Sequence, residues 1–158
     1  MTDSMVLKDA LIGTWKFVEV KLVDKEQKIS YPYGKNPIGY LMYTQEGYMA
    51  ASLAKSDRLK LGLPVAEIFN LGYGAKINWT TGVFKYIKAF FRYFQAGQNY
   101  AAYIGKYEII DNQVIHHLEV HIIPDVIGAD IKQTVEISEN TFVLTRESGI
   151  RATLKRVT

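Results

Sequence analysis

Hydrophobic and polar residues alternate along most of the chain, which is the pattern of half-buried β-strands. Turn sequences such as QEG, DNQ, SEN and SG separate many of the neighbouring runs. Consecutive strands that are joined by tight turns pair in an antiparallel manner, so the pattern predicts an all-β meander. The runs predicted to be strands are residues 13–23, 39–44, 48–54, 100–110, 114–123, 131–138, 141–147 and 150–157.

Residues 55–98 interrupt this alternation. Their middle, LGYGAKINWTTG, is rich in glycine, whereas VFKYIKAFFRYFQAG at 83–97 repeats apolar residues at helical spacing. Thr81 is the predicted N-cap of this helix and Gly97 its C-terminal stop. A stripe of Phe84, Ile87, Phe91 and Phe94 faces away from Lys85, Lys88 and Arg92. A second, short helix is expected over 5–11, with Ser4 as its cap.

The length and the strand count together predict the fold class. A chain of 158 residues fits one domain with one core, here residues 1–158. An antiparallel meander of about eight or more strands can close into a barrel, and a barrel of that size leaves room for one small ligand. We therefore expect a closed antiparallel barrel with a helical cap inserted between residues 55 and 98 over its mouth.

Composition narrows the classes of function. Aromatic residues make up 13% of the chain, with 11 tyrosines, and tyrosine suits pocket linings because it combines an apolar body with a polar tip. The net charge of +3 argues against a nucleic-acid partner. The absence of cysteine removes thiolate chemistry and disulfides. The polar start MTDSMVLKDA and the lack of a long apolar run favour a cytoplasmic protein.

Four segments carry a resemblance to a known family: LIGTWKFVEV at 11–20, YPYGKNPIGYLMYTQEGYMA at 31–50, AAYIGKY at 101–107 and VIHHLEV at 114–120. With them the chain resembles the lipocalin-like domain family, a group of calycin-type barrels, over nearly its whole length. The resemblance implies a barrel with an internal cavity and a hydrophobic ligand. Related barrels include ligand carriers and small cyclases or isomerases. The chain departs from the family at 125–126 and Gln133, where a Trp and an Arg are usual, and in its longer, more aromatic segment 55–98.

Alternation and the helical stripe together predict which side chains line such a cavity. Tyrosines on the hairpin strands are the first candidates, and the phenylalanines of 83–96 would contribute from a lid. A register shift of one residue would exchange the two faces of any strand. The predicted ligand-binding residues are Trp15, Tyr40, Met42, Tyr48, Tyr103, Tyr107, His116, Phe84, Ile87, Phe91 and Phe94.

The candidates for catalysis are His116, Tyr103 and Tyr43. A histidine inside an apolar cavity can act as a general acid or base, and an inward tyrosine can stabilise an enolate. The alternative for His116 is a core histidine that is bonded to a tyrosine. Alternation places His117 and His121 together on the opposite face, where a solvent-exposed role is favoured over zinc binding. No metal or cofactor is expected.

Three functions compete at this point. The first is a binding protein for a hydrophobic small molecule in the barrel cavity. The second is a cofactor-independent cyclase or isomerase that folds a polyketide- or isoprenoid-like substrate in the same cavity during biosynthesis. The third rests on the cationic aromatic helix at 83–96, which would give peripheral membrane contact or a homodimer interface.

Overall fold

The computed structural model describes residues 3–71 and 83–157. The predicted N-cap Thr81 and most of the glycine-rich sequence before it lie outside these residues. Nine strands are described: β1 (Gly13–Val23), β2 (Ile29–Ser30), β3 (Pro37–Tyr43), β4 (Tyr48–Lys55), β5 (Tyr100–Ile110), β6 (Gln113–His121), β7 (Asp130–Ser138), β8 (Thr141–Thr145) and β9 (Ile150–Arg156). The helices are α1 (Asp3–Leu11), α2 (Val65–Leu71), α3 (Val83–Gln98) and a 3₁₀ turn at Pro124–Val126. None of the described helices is long and apolar enough to cross a membrane.

The strands form a closed antiparallel barrel, as the alternation predicts. Each strand from β3 to β9 pairs with the next one in sequence, β3 also pairs with β1, and β1 closes the cylinder by pairing with β9. Eight strands therefore close the barrel, and the short β2 is added at the edge of β1. Closure leaves these eight strands without free edges, so their backbone groups are paired along the ladders.

A β-bulge in β1 decides which of its side chains enter the barrel. The register with β9 pairs Phe17 with Leu154 but Glu19 with Thr153, so Val18 is the extra residue. Trp15 and Phe17 point inward before the bulge, and Val20 points inward after it. The apolar residues Phe17, Val18 and Val20 are thus accommodated by a change of phase, which leaves Val18 outside.

Side chains fill the barrel interior at one end, which we call the packed end. Its fully buried residues include Leu11, Trp15, Leu41, Met49, Val114, Phe142 and Leu154. The ring centroids of Trp15 and Phe142 lie 5.2 Å apart, and those of Tyr43 and Tyr107 lie 4.8 Å apart. These side chains pack against one another as closely as is usual in a protein core.

Helix α1 closes the packed end. It begins at Asp3, so the predicted cap Ser4 lies within the helix. Trp15 Nε1 donates a hydrogen bond to the carbonyl of Leu11 at 2.8 Å. The Arg156 guanidinium stacks over the Trp15 ring at 4.2 Å and donates to the carbonyls of Ala10 and Ile12. A cation therefore satisfies the free carbonyls at the C-terminus of the helix while it covers the core tryptophan.

Residues 57–99 form a second compact unit, separate from the barrel unit. It contains α2 and α3, which confirms a helical insertion between β4 and β5. Arg92 of α3 donates to the carbonyl of Lys60 at 3.1 Å, which ties the helix to the preceding segment. The helix ends at Gln98, one residue beyond the predicted Gly97. The role of this unit as a cap stays a prediction.

Candidate functional site: a cavity in the barrel

A cavity of about 120 Å³ occupies the barrel at the opposite end from α1. We call this the cavity end. Side chains from most of the barrel strands contribute to its wall. They lie toward the end of each strand that is farther from the packed end. The apolar part of the wall includes Phe17, Val20, Leu53, Leu144, Ile150 and Ala152. The polar part consists of Tyr33, Tyr103, His121, Gln133 and Arg146.

The polar residues of the wall belong to a chain of hydrogen bonds that runs into the core. Arg146 Nε donates to Gln133 Oε1 at 3.0 Å. Gln133 Nε2 lies 3.1 Å from His116 Nδ1, and His116 Nε2 lies 2.7 Å from the Tyr43 hydroxyl. Arg146 Nη2 also reaches the Tyr103 hydroxyl at 3.4 Å. The chain connects the cavity with buried groups of the packed end.

The arginine sets the direction of every bond in this chain. A guanidinium only donates, so the Gln133 side chain must turn its carbonyl oxygen to Arg146 and its NH₂ group to His116. His116 Nδ1 is then an acceptor, and the proton of the neutral ring lies on Nε2. That N–H donates to the Tyr43 oxygen. Both ring nitrogens of His116 are therefore occupied.

Burial keeps His116 neutral. Its side chain is fully buried, and desolvation, with smaller contributions from the positive charge of Arg146 and from His117, lowers its pKa to about 3. Burial also raises the pKa of Tyr43 well above its ordinary value. The two groups are neutral hydrogen-bond partners at physiological pH. The geometry matches the alternative of a core histidine bonded to a tyrosine.

Tyr103 is the predicted site residue that reaches the cavity. It points inward from β5, and its hydroxyl lies at the wall beside Arg146. Burial raises its pKa, and Arg146 lowers it to a smaller extent. The His121 ring stacks on Tyr103 with centroids 6.0 Å apart. Tyr33, from the segment between β2 and β3, completes the polar side, and burial raises its pKa as well.

His121 reaches the cavity because of a second bulge. The register pairs Ile104 with Val120 but Gly105 with Leu118, so Glu119 is the extra residue of β6. A Cβ atom on Gly105 would lie 1.9 Å from the carbonyl oxygen of His117, and only glycine fits there. The predicted grouping of His121 with His117 is therefore wrong. His121 faces the cavity, while the preceding Val120 is 56% exposed.

His117 lies on the outer face of β6, as predicted. Its Nδ1 is 2.7 Å from Asp130 Oδ1, and its Nε2 is 3.4 Å from Glu108 Oε1. In the described residues no three His, Cys, Asp or Glu side chains form a group that could hold a metal ion.

The structure brings the three predicted catalytic residues together but gives only Tyr103 access to the cavity. The rings of Tyr43 and Tyr103 lie 5.6 Å and 6.0 Å from that of His116. Of the other inward candidates, Trp15 and Tyr107 belong to the packed end, where the Tyr107 hydroxyl donates to the carbonyl of Thr44 at 2.8 Å. Tyr43, His116, Trp15 and Tyr107 point inward but are absent from the cavity wall.

Three of the predicted ligand-binding residues point out of the barrel. The exposed fractions of Tyr40, Met42 and Tyr48 are 46%, 44% and 47%. The reason is the register of the first hairpin: Leu41 and Tyr43 occupy the inner face of β3, so their neighbours lie on the outer face. Tyr48 packs under the ammonium group of Lys106 at 5.8 Å instead. The expectation that these three face the cavity is wrong.

The four residues predicted to contribute from a lid all lie on α3, and all are exposed: Phe84, Ile87, Phe91 and Phe94. Their contact with a ligand stays a prediction.

Sequence reasoning named Tyr103 but missed the other residues of the cavity wall, among them the four polar residues Tyr33, His121, Gln133 and Arg146. Tyr33 lies in a loop, where alternation gives no direction. Arg146 lies near the end of the predicted strand 141–147 in phase with Phe142 and Leu144, and this phase is the signal that would have found it. His121 follows a bulge. Gln133 shares the inward face of β7 with Ile131 and Val135, and a polar residue at an inward position is the signal that would have found it.

Comparison with known proteins agrees with the geometry. The model of the lipocalin-like domain family matches residues 12–156. The chain belongs to this family. Among solved structures, a lipocalin-like protein from Bacteroides uniformis is 12% identical with a TM-score of 0.48, and the match covers 94% of this chain and 99% of that one. An uncharacterised protein from Bacteroides eggerthii is 11% identical with a TM-score of 0.45, with 93% and 99% covered.

A mutant of the fluorescent protein UnaG is also similar, at 11% identity and a TM-score of 0.36, with 94% of this chain and 97% of that one covered. No curated protein matches the chain significantly. The lipocalin-like match identifies the family, while the ligand has to be argued from the cavity itself.

Proposed function

We propose that this lipocalin-like protein binds a small molecule with an apolar body inside the cavity end of its barrel. The observation that carries the proposal is the composition of the wall. Aliphatic and aromatic side chains form most of it, and a few polar groups converge on one side. This combination is typical of small-molecule sites, since the apolar wall supplies affinity and the polar groups supply orientation.

The volume limits the guest. A cavity of about 120 Å³ is below the range of roughly 300 to 1,000 Å³ that is usual for drug-sized ligands. A cavity of about 150 Å³ accommodates benzene in another protein. The barrel therefore suits a single ring or a short aliphatic group, or the corresponding end of a longer molecule whose remainder lies outside the cavity.

The alternative of a cyclase or isomerase stays a prediction, with fewer residues to support it. Both ring nitrogens of His116 are engaged and its pKa is lowered to about 3, so it is unsuited to proton transfer near neutral pH. A reaction in the cavity would depend on the hydroxyl of Tyr103 and on Arg146. Membrane contact through 83–96, a homodimer and the cytoplasmic location likewise stay predictions.

The test uses benzyl alcohol, a neutral single-ring probe, with ¹H–¹⁵N NMR of the full chain. We expect saturable shifts at the amides of Ala101, Tyr103 and Gln133, with a Kd on the order of 1 mM for so small a probe. Two neighbouring alanines of β5 provide matched variants. Ala101→Leu would fill the cavity and abolish the shifts, whereas Ala102→Leu, on the outer face, would leave them unchanged. Equal effects of the two variants, or no saturable shifts, would contradict the proposal.

A further inference from the structure

The side chain of Arg146 carries a positive charge into the cavity wall. The residue begins the turn that follows β8: its amide donates to the carbonyl of Ile150 at 2.8 Å, and its carbonyl accepts from Gly149 at 3.0 Å. These two bonds fix the backbone. The half-buried side chain then runs along the wall to Gln133 and Tyr103. A cation is an unusual component of a small apolar pocket, because desolvation of an unpaired charge is unfavourable.

Neutral groups alone contact this guanidinium within the described residues. Its partners are the amide oxygen of Gln133 at 3.0 Å and the hydroxyl of Tyr103 at 3.4 Å, and no carboxylate of residues 3–71 or 83–157 lies within ion-pair distance. A guanidinium has five N–H donors, and these two contacts use only part of them. Elsewhere in the barrel, Arg151 reaches Glu136 at 3.4 Å, so arginines on the outer surface do find carboxylates.

The charge of Arg146 acts on two tyrosines of the cavity wall and on the buried end of the hydrogen-bond chain. It opposes the burial-driven rise in the pKa of Tyr33, Tyr43 and Tyr103, and it helps to lower the pKa of His116. Each of these groups therefore experiences a positive potential that disfavours a cation and favours an anion. The hydroxyls of Tyr33 and Tyr103 at the same wall can donate hydrogen bonds to an anion.

We propose that the ligand of the cavity carries a planar monoanionic group, of the carboxylate class, which pairs with Arg146 and accepts a hydrogen bond from Tyr103. The proposal rests on the proposed function of the same cavity. A carboxylate matches the planar fork of a guanidinium, and it fits a volume of about 120 Å³ beside one ring. The ligand class is then a small aromatic or short-chain carboxylate, or the acidic end of a longer amphiphile.

The test compares three probes of the same size at pH 7: benzoate, benzamide and benzylammonium. Isothermal titration or NMR titration gives each Kd for the wild-type protein. We expect benzoate to bind about tenfold more tightly than benzamide, and benzylammonium to bind more weakly than either. The benzoate preference should decline in high salt, since it depends on a partly exposed charge.

Two variants assign the preference to the arginine. Arg146→Met keeps an apolar stem but removes the guanidinium, so the ratio of the Kd for benzamide to the Kd for benzoate should fall to about one. Arg146→Lys keeps the charge without the planar fork and should retain part of the preference. The chemical shifts of His116 and Tyr43 report whether the buried chain is intact in each variant.

The outcomes separate this proposal from the one on which it rests. If benzamide binds in the cavity and benzoate binds no more tightly, the anion proposal is overturned while the binding function remains. If Arg146→Met keeps the full benzoate preference, the anion proposal is likewise overturned. If none of the three probes binds, both proposals fail.

Discussion

At the end of the barrel beneath α1 the inward side chains fill the interior, whereas at the other end similar strands leave a cavity bordered by polar groups. Trp15 and Phe142 contact each other at the packed end, while Leu144 and Ala152 face open volume at the cavity end. The two ends share strands and register. The two ends differ in the size and polarity of their inward side chains. One end of a barrel can therefore stabilise the fold while the other binds a ligand.

The hydrogen-bond chain joins the two ends. Arg146 and Gln133 line the cavity, and His116 and Tyr43 are buried beyond it. Within residues 3–71 and 83–157, the hydrogen bonds of the buried members join them to each other and to Gln133. The members at the wall have donors left for a ligand. Substitutions along this chain should therefore affect stability at one end and binding at the other.

The largest expected contrast is between two leucines on paired strands. Leu154→Ala at the packed end should lower the free energy of unfolding by about 4 kcal/mol, because the fully buried side chain leaves a cavity that its neighbours cannot fill. Leu144→Ala should cost about 2 to 3 kcal/mol, because that side chain already borders open volume and has fewer contacts to lose. Urea denaturation at constant m-value measures both. Equal losses would mean that the two ends are packed alike.

The next contrast removes one hydroxyl from each end. Tyr43→Phe leaves the Nε2–H of His116 buried without an acceptor, which should cost about 1 to 3 kcal/mol of stability. Tyr103→Phe removes a hydroxyl whose contact with Arg146 is 3.4 Å long and which faces the cavity, so the cost should stay below about 1 kcal/mol.

Binding should show the opposite order. Tyr103→Phe is expected to weaken benzoate binding several-fold, whereas Tyr43→Phe should leave it unchanged. Denaturation should therefore show the larger loss for Tyr43→Phe, and titration with benzoate should show the larger loss for Tyr103→Phe. A variant that loses both stability and binding in proportion would show that the ends are not separate in function.

The sequence was sufficient to predict the barrel because apolar and polar residues alternate along most of each of the eight barrel strands. The strands from Gly13–Val23 to Ile150–Arg156 begin and end within a few residues of the predicted limits. The two-residue β2 and the short α2 were not predicted, since elements of that length carry too few residues to establish a period.

The direction of side chains was harder to predict than the strands that carry them. Tyr103, Tyr107 and His116 point inward as expected, but the hairpin register turned Tyr40 and Met42 outward. The bulge opposite Gly105 turned the side chain of Val120 outward and that of His121 inward. A bulge changes the phase of everything after it, and the sequence signals it only by a glycine inside a strand. Arg146 continues the inward phase of Phe142 and Leu144, although the strand itself ends at Thr145.

The last contrast concerns pH. The pKa of His116 is about 3 in the folded protein and about 6.5 in the unfolded chain. Between these values the unfolded state binds more protons, so the free energy of unfolding falls as the pH is lowered from about 6.5 toward 3. Where the folded histidine is fully neutral and the unfolded one is fully protonated, His116 contributes about 1.4 kcal/mol per pH unit to this slope.

Urea denaturation of the wild-type protein between pH 4.5 and 7.5 measures this slope, and His116→Gln should reduce it. Val114→Ala is the matched control: it removes buried volume two residues away on the same strand but keeps the histidine, so its stability should be lower at every pH with the slope retained. A His116→Gln slope that equals that of Val114→Ala would mean that His116 takes up its proton in the folded state. The histidine would then have access to the cavity, and the division between a packed end and a binding end would have to be drawn deeper in the barrel.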